Sequence, residues 1–458
     1  MDVKGILEFI QSKKDDIEFN YKLFEIREGN LEKYLIQELR DQIDAKSIKV
    51  ALQRRSPINV LPKLVDKLSK VYSDGCNRKS ETDEELVSFY EKDLELNTLQ
   101  TENVRNFNSY KNFWLEIYID EVDRKVKLRP IPSYEMMAYS ESNDDRITHV
   151  IRCMGDYIYN GKKTKRFWIY SDTEFVSVNS DGDFIKEDME ATGGENPFGI
   201  IPFVYRRKSI YLINPIPDYD LYCMVILIAV LYTDLNFASM FAHHGIIYTI
   251  DINQDNLKIS PDTIWNLRSE IDGKTPSVNI LRPETNAEND LMLLKNQIST
   301  WLYTRNIKPT GALSDSGSDN FASGIALLIA EMDTTEYRKE LTTLFKEMEE
   351  KEFWKKLSII HNYAYASGQI ESTKMFSKDV QVFVDFPEVQ IIEDRATTIA
   401  NIKSEIDLKI LSRKDAMKRL YPKMSEKQIE ERLESVDEER ADASEETMEN
   451  TDPIIETV

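Results

Sequence analysis

Cysteine and histidine are scarce in this chain, with three and four copies in 458 residues. Cys76, Cys153 and Cys223 lie far apart and form no CxxC pair, so neither a disulfide framework nor a thiolate metal site is supported. A reducing, intracellular site of synthesis fits. The N-terminus, MDVKGILEFIQSKKDD, has no long apolar segment followed by a small-residue cleavage site, and no signal peptide is expected. Positive charge is also short. Lysine and arginine number 59 against 81 acidic residues, a formal net charge of -22, which argues against a surface built to grip DNA phosphates tightly. The most apolar run, LYCMVILIAVLY from Leu221 to Tyr232, is flanked by Asp218, Asp220 and Asp234. A bilayer span needs about 20 apolar residues, so this run reads as too short for an anchor.

Catalytic signatures are missing as well. Gly273-Lys274-Thr275 ends like a P-loop, but Arg268 stands where the upstream glycine belongs, and the tripeptide reads as a turn. His243 and His244 are adjacent, so on a helix they point about 100° apart and cannot share one metal; a helix-end role is expected. Two stretches imitate part of a calcium loop. The run Asp251, Asn253, Asp255 lacks the glycine at its sixth position, and the run Ser177, Asn179, Asp181, Gly182 begins with the wrong residue, so both read as turns. No catalytic residue, metal or cofactor is expected.

What is present is enough apolar and aromatic residue, 41% and 10%, to build real cores, and length for about three domains. The fold class reads as α+β, mainly helical. The first hundred residues read as helices over 31–45, 58–72 and 82–107, the second with Val60, Leu61, Leu64, Val65, Leu68 and Val71 on one face. From Phe113 the period changes to two. Strands are expected in FWLEIYIDEVDRKVKLRPI, THVIRCM, KRFWIYS and EFVSVN, with NPFGIIPFVYRR closing a β segment over 110–205.

A helix follows from Asp218 to about Ala242, apolar nearly all round. It is either a central core helix or one covered by neighbouring copies of the chain. Next come strand IIYTI, a short helix over 261–271, strand SVNILRP and a second helix over 287–306. The stretch LSDSGSDNFASGIALLI (313–329) then runs from small and acidic residues into a long helical segment over 323–366. Asp315 and Asp319 repel phosphate there, with only Lys308 nearby to attract it. VQVFVDF reads as a strand, and helices are expected over 392–411, 412–420 and 425–436, the last two with Ser412 and Ser425 as caps. The final 22 residues hold nine carboxylates and one arginine and read as a disordered tail.

In this order the elements resemble the portal proteins of tailed bacteriophages, the head-tail connector rings through which DNA enters and leaves the capsid. The segments that carry the resemblance are INVLPKLVDKLSKVYSDG, FWLEIYIDEVDRKVKLRPIPSYEM, NPFGIIPFV, SDNFASGIALLIAEMDTTEYRKELTTLFKEME and LSRKDAMKRLYPKMSEKQIEERLESVDEE, between about Ile58 and Glu439. The resemblance implies a phage-portal fold assembled as a ring. Residues 1–217 would form the wing, 218–244 and 286–307 the two stem helices, and 245–285 the clip. Residues 308–322 would be the tunnel loop, 323–391 the long wing helix and a strand, 392–436 the crown, and 437–458 the acidic tail.

By the same resemblance, Lys308, Ser314, Asp315, Ser316, Gly317, Ser318, Asp319 and Asn320 would line the DNA channel. Val225, Ile228, Leu231, Leu294 and Trp301 would make stem contacts between about twelve copies. Implied partners are the terminase large subunit, a neck or adaptor protein, the major capsid and scaffolding proteins, and double-stranded DNA in transient contact, with no membrane. The implied location is the virion, at one capsid vertex, with host cytoplasm during assembly. A rival from another class, a metal-dependent nucleic-acid-processing enzyme, would draw on Asp251, Asn253 and Asp255.

Overall fold

The computed structural model describes residues 2–43, 48–141, 146–190, 192–244, 246–250, 277–281, 287–307, 324–372, 374–387 and 395–421, with parts of 424–435. Its elements mix helix and sheet, an α+β arrangement. The chain divides into two compact units, residues 1–315 with 333–388, and residues 316–332 with 389–458.

The first unit opens with five helices, α1 (Val3–Ser12), α2 (Lys14–Arg27), α3 (Leu31–Gln42), α4 (Ile48–Gln53) and α5 (Leu61–Leu68). Asp2 caps α1 by accepting from the Gly5 amide at 3.1 Å. Helix α5 buries Leu61, Leu64, Val65 and Leu68, the face anticipated from the sequence, but ends at Leu68 and not at Tyr72. The short strand β1 (Asn77–Lys79) follows. The helix expected over 82–107 is two, α6 (Glu84–Asp93) and α7 (Leu96–Tyr110), because Glu95 adopts a left-handed φ of 48° between them.

The β segment comprises β2 (Asn112–Asp120), β3 (Lys125–Ile131), β4 (Met136–Tyr139), β5 (His149–Tyr159), β6 (Lys162–Tyr170), β7 (Phe175–Asn179), the one-turn α8 (Lys186–Met189) and β8 (Phe203–Arg207). It forms two antiparallel sheets, ordered β3-β2-β8 and β4-β5-β6-β7. In the first, Trp114 sits opposite Ile131 on one side and Tyr205 on the other, where the two rings stack at 3.9 Å. The turn after Asn179 that imitates a calcium loop is an Asx turn: the Asn179 side-chain oxygen accepts from the amides of Asp181 and Asp183, both at 2.9 Å.

Helix α9 (Tyr219–His244) leads into the antiparallel pair β9 (Ile246–Ile250) and β10 (Ser277–Leu281), and α10 (Ala287–Thr304) returns. Helix α11 (Gly324–Met348) continues through a π-helical turn, Glu349–Phe353, into α12 (Trp354–Ala366), so the long helical segment read from the sequence is one path with a widened turn. Strand β11 (Phe383–Asp385) pairs with β1, Arg78 opposite Val384. The main core lies where α6, α7, α11 and α12 meet β2 and β3, around Phe107, Phe113, Phe345 and Trp354.

In the second unit, α13 (Arg395–Asp407) precedes α14 (Arg413–Leu420), whose first turn is capped as expected, the Ser412 hydroxyl accepting from the Asp415 amide at 3.1 Å. Ion pairs Arg419–Glu405 at 2.8 Å and Lys414–Glu430 at 2.6 Å join its pieces.

Candidate functional site

Helices α9 and α10 pack against each other and bracket the β9–β10 pair. Aspartates at the start of α9 and an arginine just past α10 lock them. Arg305 donates to both oxygens of Asp218, at 2.6 and 2.8 Å, and also reaches Asp220. Trp301 donates its indole N–H to Asp220 at 3.0 Å. The Leu221 amide donates to Asp218, which therefore also caps the helix. Burial alone pushes the Asp218 carboxyl up, but the hydrogen bonds and charge of Arg305 outweigh it and hold the group below the usual carboxylate range.

One side of this pair is covered by the chain itself. Leu31, Leu35 and Leu39 of α3 and Leu61, Leu64 and Leu68 of α5 form one cluster with Leu221, Val225, Ile228 and Ala229 of α9 and Leu294, Ile298 and Trp301 of α10. Four of the five residues expected between copies are thus inside the subunit: Val225, Ile228, Leu294 and Trp301 are buried, and Leu231 packs partly against the same cluster. Of the two covers left open by the all-round apolarity of α9, the N-terminal helices supply this one.

Other large apolar side chains of the two helices stay uncovered. Leu227 of α9 and Leu291, Met292, Leu293 and Tyr303 of α10 are exposed, Leu293 at 59%. Between the helices lies a groove of about 300 Å³ lined by Leu227, Leu231, Leu235, Leu293 and Leu294, with Asp234 and Asp290 among the lining residues. Asp234 has its carboxyl raised by burial alone. The stretch Tyr219–Ser239 is 21 residues long and apolar enough, by length and composition, to cross a membrane. The run read from the sequence, Leu221 to Tyr232, is its most apolar part, and Asp220 and Asp234 fall inside the longer stretch. Only 39% of its most apolar window is buried, on the side that packs into the cluster with α3 and α5.

The expected channel loop, from Lys308 through Ser314, Asp315, Ser316, Gly317, Ser318 and Asp319 to Asn320, lies outside the described residues, as do Asp251, Asn253 and Asp255. Among the described residues, no group of three His, Cys, Asp or Glu side chains is placed to hold a metal ion. His149 and His361 are both buried. His361 donates from Nε2 to the Lys374 carbonyl at 2.9 Å and accepts from the Tyr90 hydroxyl at Nδ1 at 2.6 Å, so both its nitrogens serve the fold. The sequence reading did not find the exposed strap before α9, residues 208–216. Its signal was SIYLINPI, four large apolar residues in a loop bounded by Ser209 and Pro215.

No family model matches the chain, and no curated protein matches its sequence. Among solved structures, a chain from the virion of a native gene transfer agent (GTA) particle aligns at 10% identity with a TM-score of 0.36, covering 82% of this chain and 93% of that one.

Proposed function

We propose that this chain is a subunit of a homo-oligomeric portal ring at one capsid vertex, a structural conduit for packaging and ejecting double-stranded DNA. The observation that carries the reading is the α9, β9–β10, α10 sequence of elements, two clasped helices bracketing a small strand pair, with large apolar side chains left uncovered on both helices. A monomer seldom leaves so much large apolar surface uncovered on one helix pair. Copies arranged about an axis would cover it.

In this reading the ring performs no bond-breaking chemistry and needs no cofactor. The β9–β10 end docks the terminase large subunit during packaging and a neck or adaptor protein afterwards, and the wing meets the major capsid and scaffolding proteins. The loop over 308–322 faces the DNA, and its carboxylates keep the duplex from sticking, since like charge opposes phosphate contact. The protein assembles in the host cytoplasm, resides in the virion and involves no membrane.

The test is the mass and shape of the purified protein. Native mass spectrometry should give a closed oligomer of about twelve subunits, the size expected of the family. Negative-stain images should show rings with a central channel. A monomer or dimer under every assembly condition would overturn the proposal.

A further inference from the structure

The uncovered side chains of α9 and α10 are not the only exposed apolar surface. The strap over 208–216 carries Ile210 at 69% and Tyr211 at 83% exposure, with Leu212 and Ile216 also exposed. It is not a loose loop. The Ser209 hydroxyl accepts from the amides of Tyr211 and Leu212, both at 3.2 Å. Asn214 exchanges two hydrogen bonds with the backbone of Ala138, at 3.0 and 2.7 Å, and the Tyr205 hydroxyl donates to the Ile213 carbonyl. An apolar knob held this firmly loses little conformational freedom on docking.

Charge distinguishes the two surfaces. Lys208, exposed at the root of the strap, rests over the ring of Tyr337 and has no carboxylate partner among the described residues. Asp234, lining the groove, has no cationic partner among them, and Asp290 lines the same groove. One surface is exposed, apolar and basic at its root; the other is a leucine-lined groove with two aspartates.

We propose that the strap of one copy seats in the α9–α10 groove of the next, Tyr211 and Ile210 entering among Leu227, Leu235 and Leu293 while Lys208 meets Asp234. This rests on the ring reading above and specifies its interface. Two different patches on each subunit make the contact heterologous, the kind that closes into a ring when its rotation allows. The strap precedes α9, while the groove lies 8 to 16 residues along it, roughly 12–24 Å at 1.5 Å per residue. The contact therefore requires α9 to be inclined to the ring axis.

The experiment mixes two populations of the full-length chain, both carrying Cys76→Ser, Cys153→Ser and Cys223→Ser, one with Tyr211→Cys and the other with Leu293→Cys, and adds a short bismaleimide. Cross-linked dimers should form in the mixture and not in either population alone. In parallel, Lys208→Glu and Asp234→Lys should each lower the fraction in rings about tenfold or more, and the double exchange should restore it. If unmodified protein forms rings but the mixture gives no cross-link and the charge variants assemble normally, the interface is wrong and the ring reading stands. If unmodified protein never oligomerises, both fall. Capture of a different capsid protein by the strap, with ring assembly unaffected by its mutation, would also overturn the interface.

Discussion

Arg78 and Glu349 form a fully buried ion pair, Nε to Oε2 at 2.7 Å and Nη2 to Oε1 at 3.0 Å, with Tyr72 donating to the same carboxylate at 2.7 Å. Glu91 and Asn97 take the remaining guanidinium donor, each at 2.9 Å. Glu349→Ala leaves the buried guanidinium with Glu91 and Asn97 alone, so it should cost toward the lower end of about 3–5 kcal/mol in chemical denaturation. Changing both, Arg78→Met with Glu349→Leu, should cost much less. His361 gives a pH signature. Desolvation lowers its folded pKa below the ordinary 6.5, against the smaller raising effect of the Lys374 carbonyl, so the unfolded chain binds the proton more readily. Its contribution is complete above about pH 6.5 and is lost as pH falls toward the lower folded value. The denaturation midpoint should therefore drop more steeply below pH 6.5 in the native chain than in His361→Asn. Neither feature was legible beforehand, because a lone Arg, Glu or His reads as solvated until a distant segment is seen to cover it.

At the scale of elements, α9 has two sides with different fates. Val225 is wholly buried under the N-terminal helices, so Val225→Asp should destabilise the subunit by several kcal/mol, since burying an unpaired charge carries that cost. Leu293 is exposed, so Leu293→Asp should shift subunit stability by no more than about 0.5 kcal/mol while reducing assembly. Denaturation of the monomeric fraction and sizing of the assembled one separate the two effects. Most strands and the α9 and α10 boundaries were readable from alternation and from helical spacing. The misses have physical causes. Helix α2, KDDIEFNYKLFEIR, spreads its apolar residues around the axis and gives no clear face. Strand β1 is three polar residues made a strand only by a remote partner. The π-helical turn keeps a helical pattern while widening one turn, which periodicity does not register. The residues expected to touch neighbouring copies are apolar, but all-round apolarity does not say which side the chain covers for itself.

For the whole molecule, the proposed ring function predicts that deleting residues 314–320 leaves subunit folding and ring assembly intact while impairing DNA packaging or retention, as read by the DNA content of particles. Failure of the subunit to fold would make the loop structural. The chain's own closure carries a different consequence. Residue 78 is zipped to residue 384 and salted to residue 349, so the first unit is finished by its far end. On a ribosome adding roughly 5–20 residues per second, the early segment waits about 15–60 s for that partner. During that interval the nascent chain shows its unpaired strand and an arginine without its Glu349 partner, and sister chains on one message lie within reach of each other. Synthesis speed and chaperone supply then decide the yield of subunits able to assemble. Slowing translation ahead of residue 349 should raise the aggregated fraction without changing the stability of the protein that escapes.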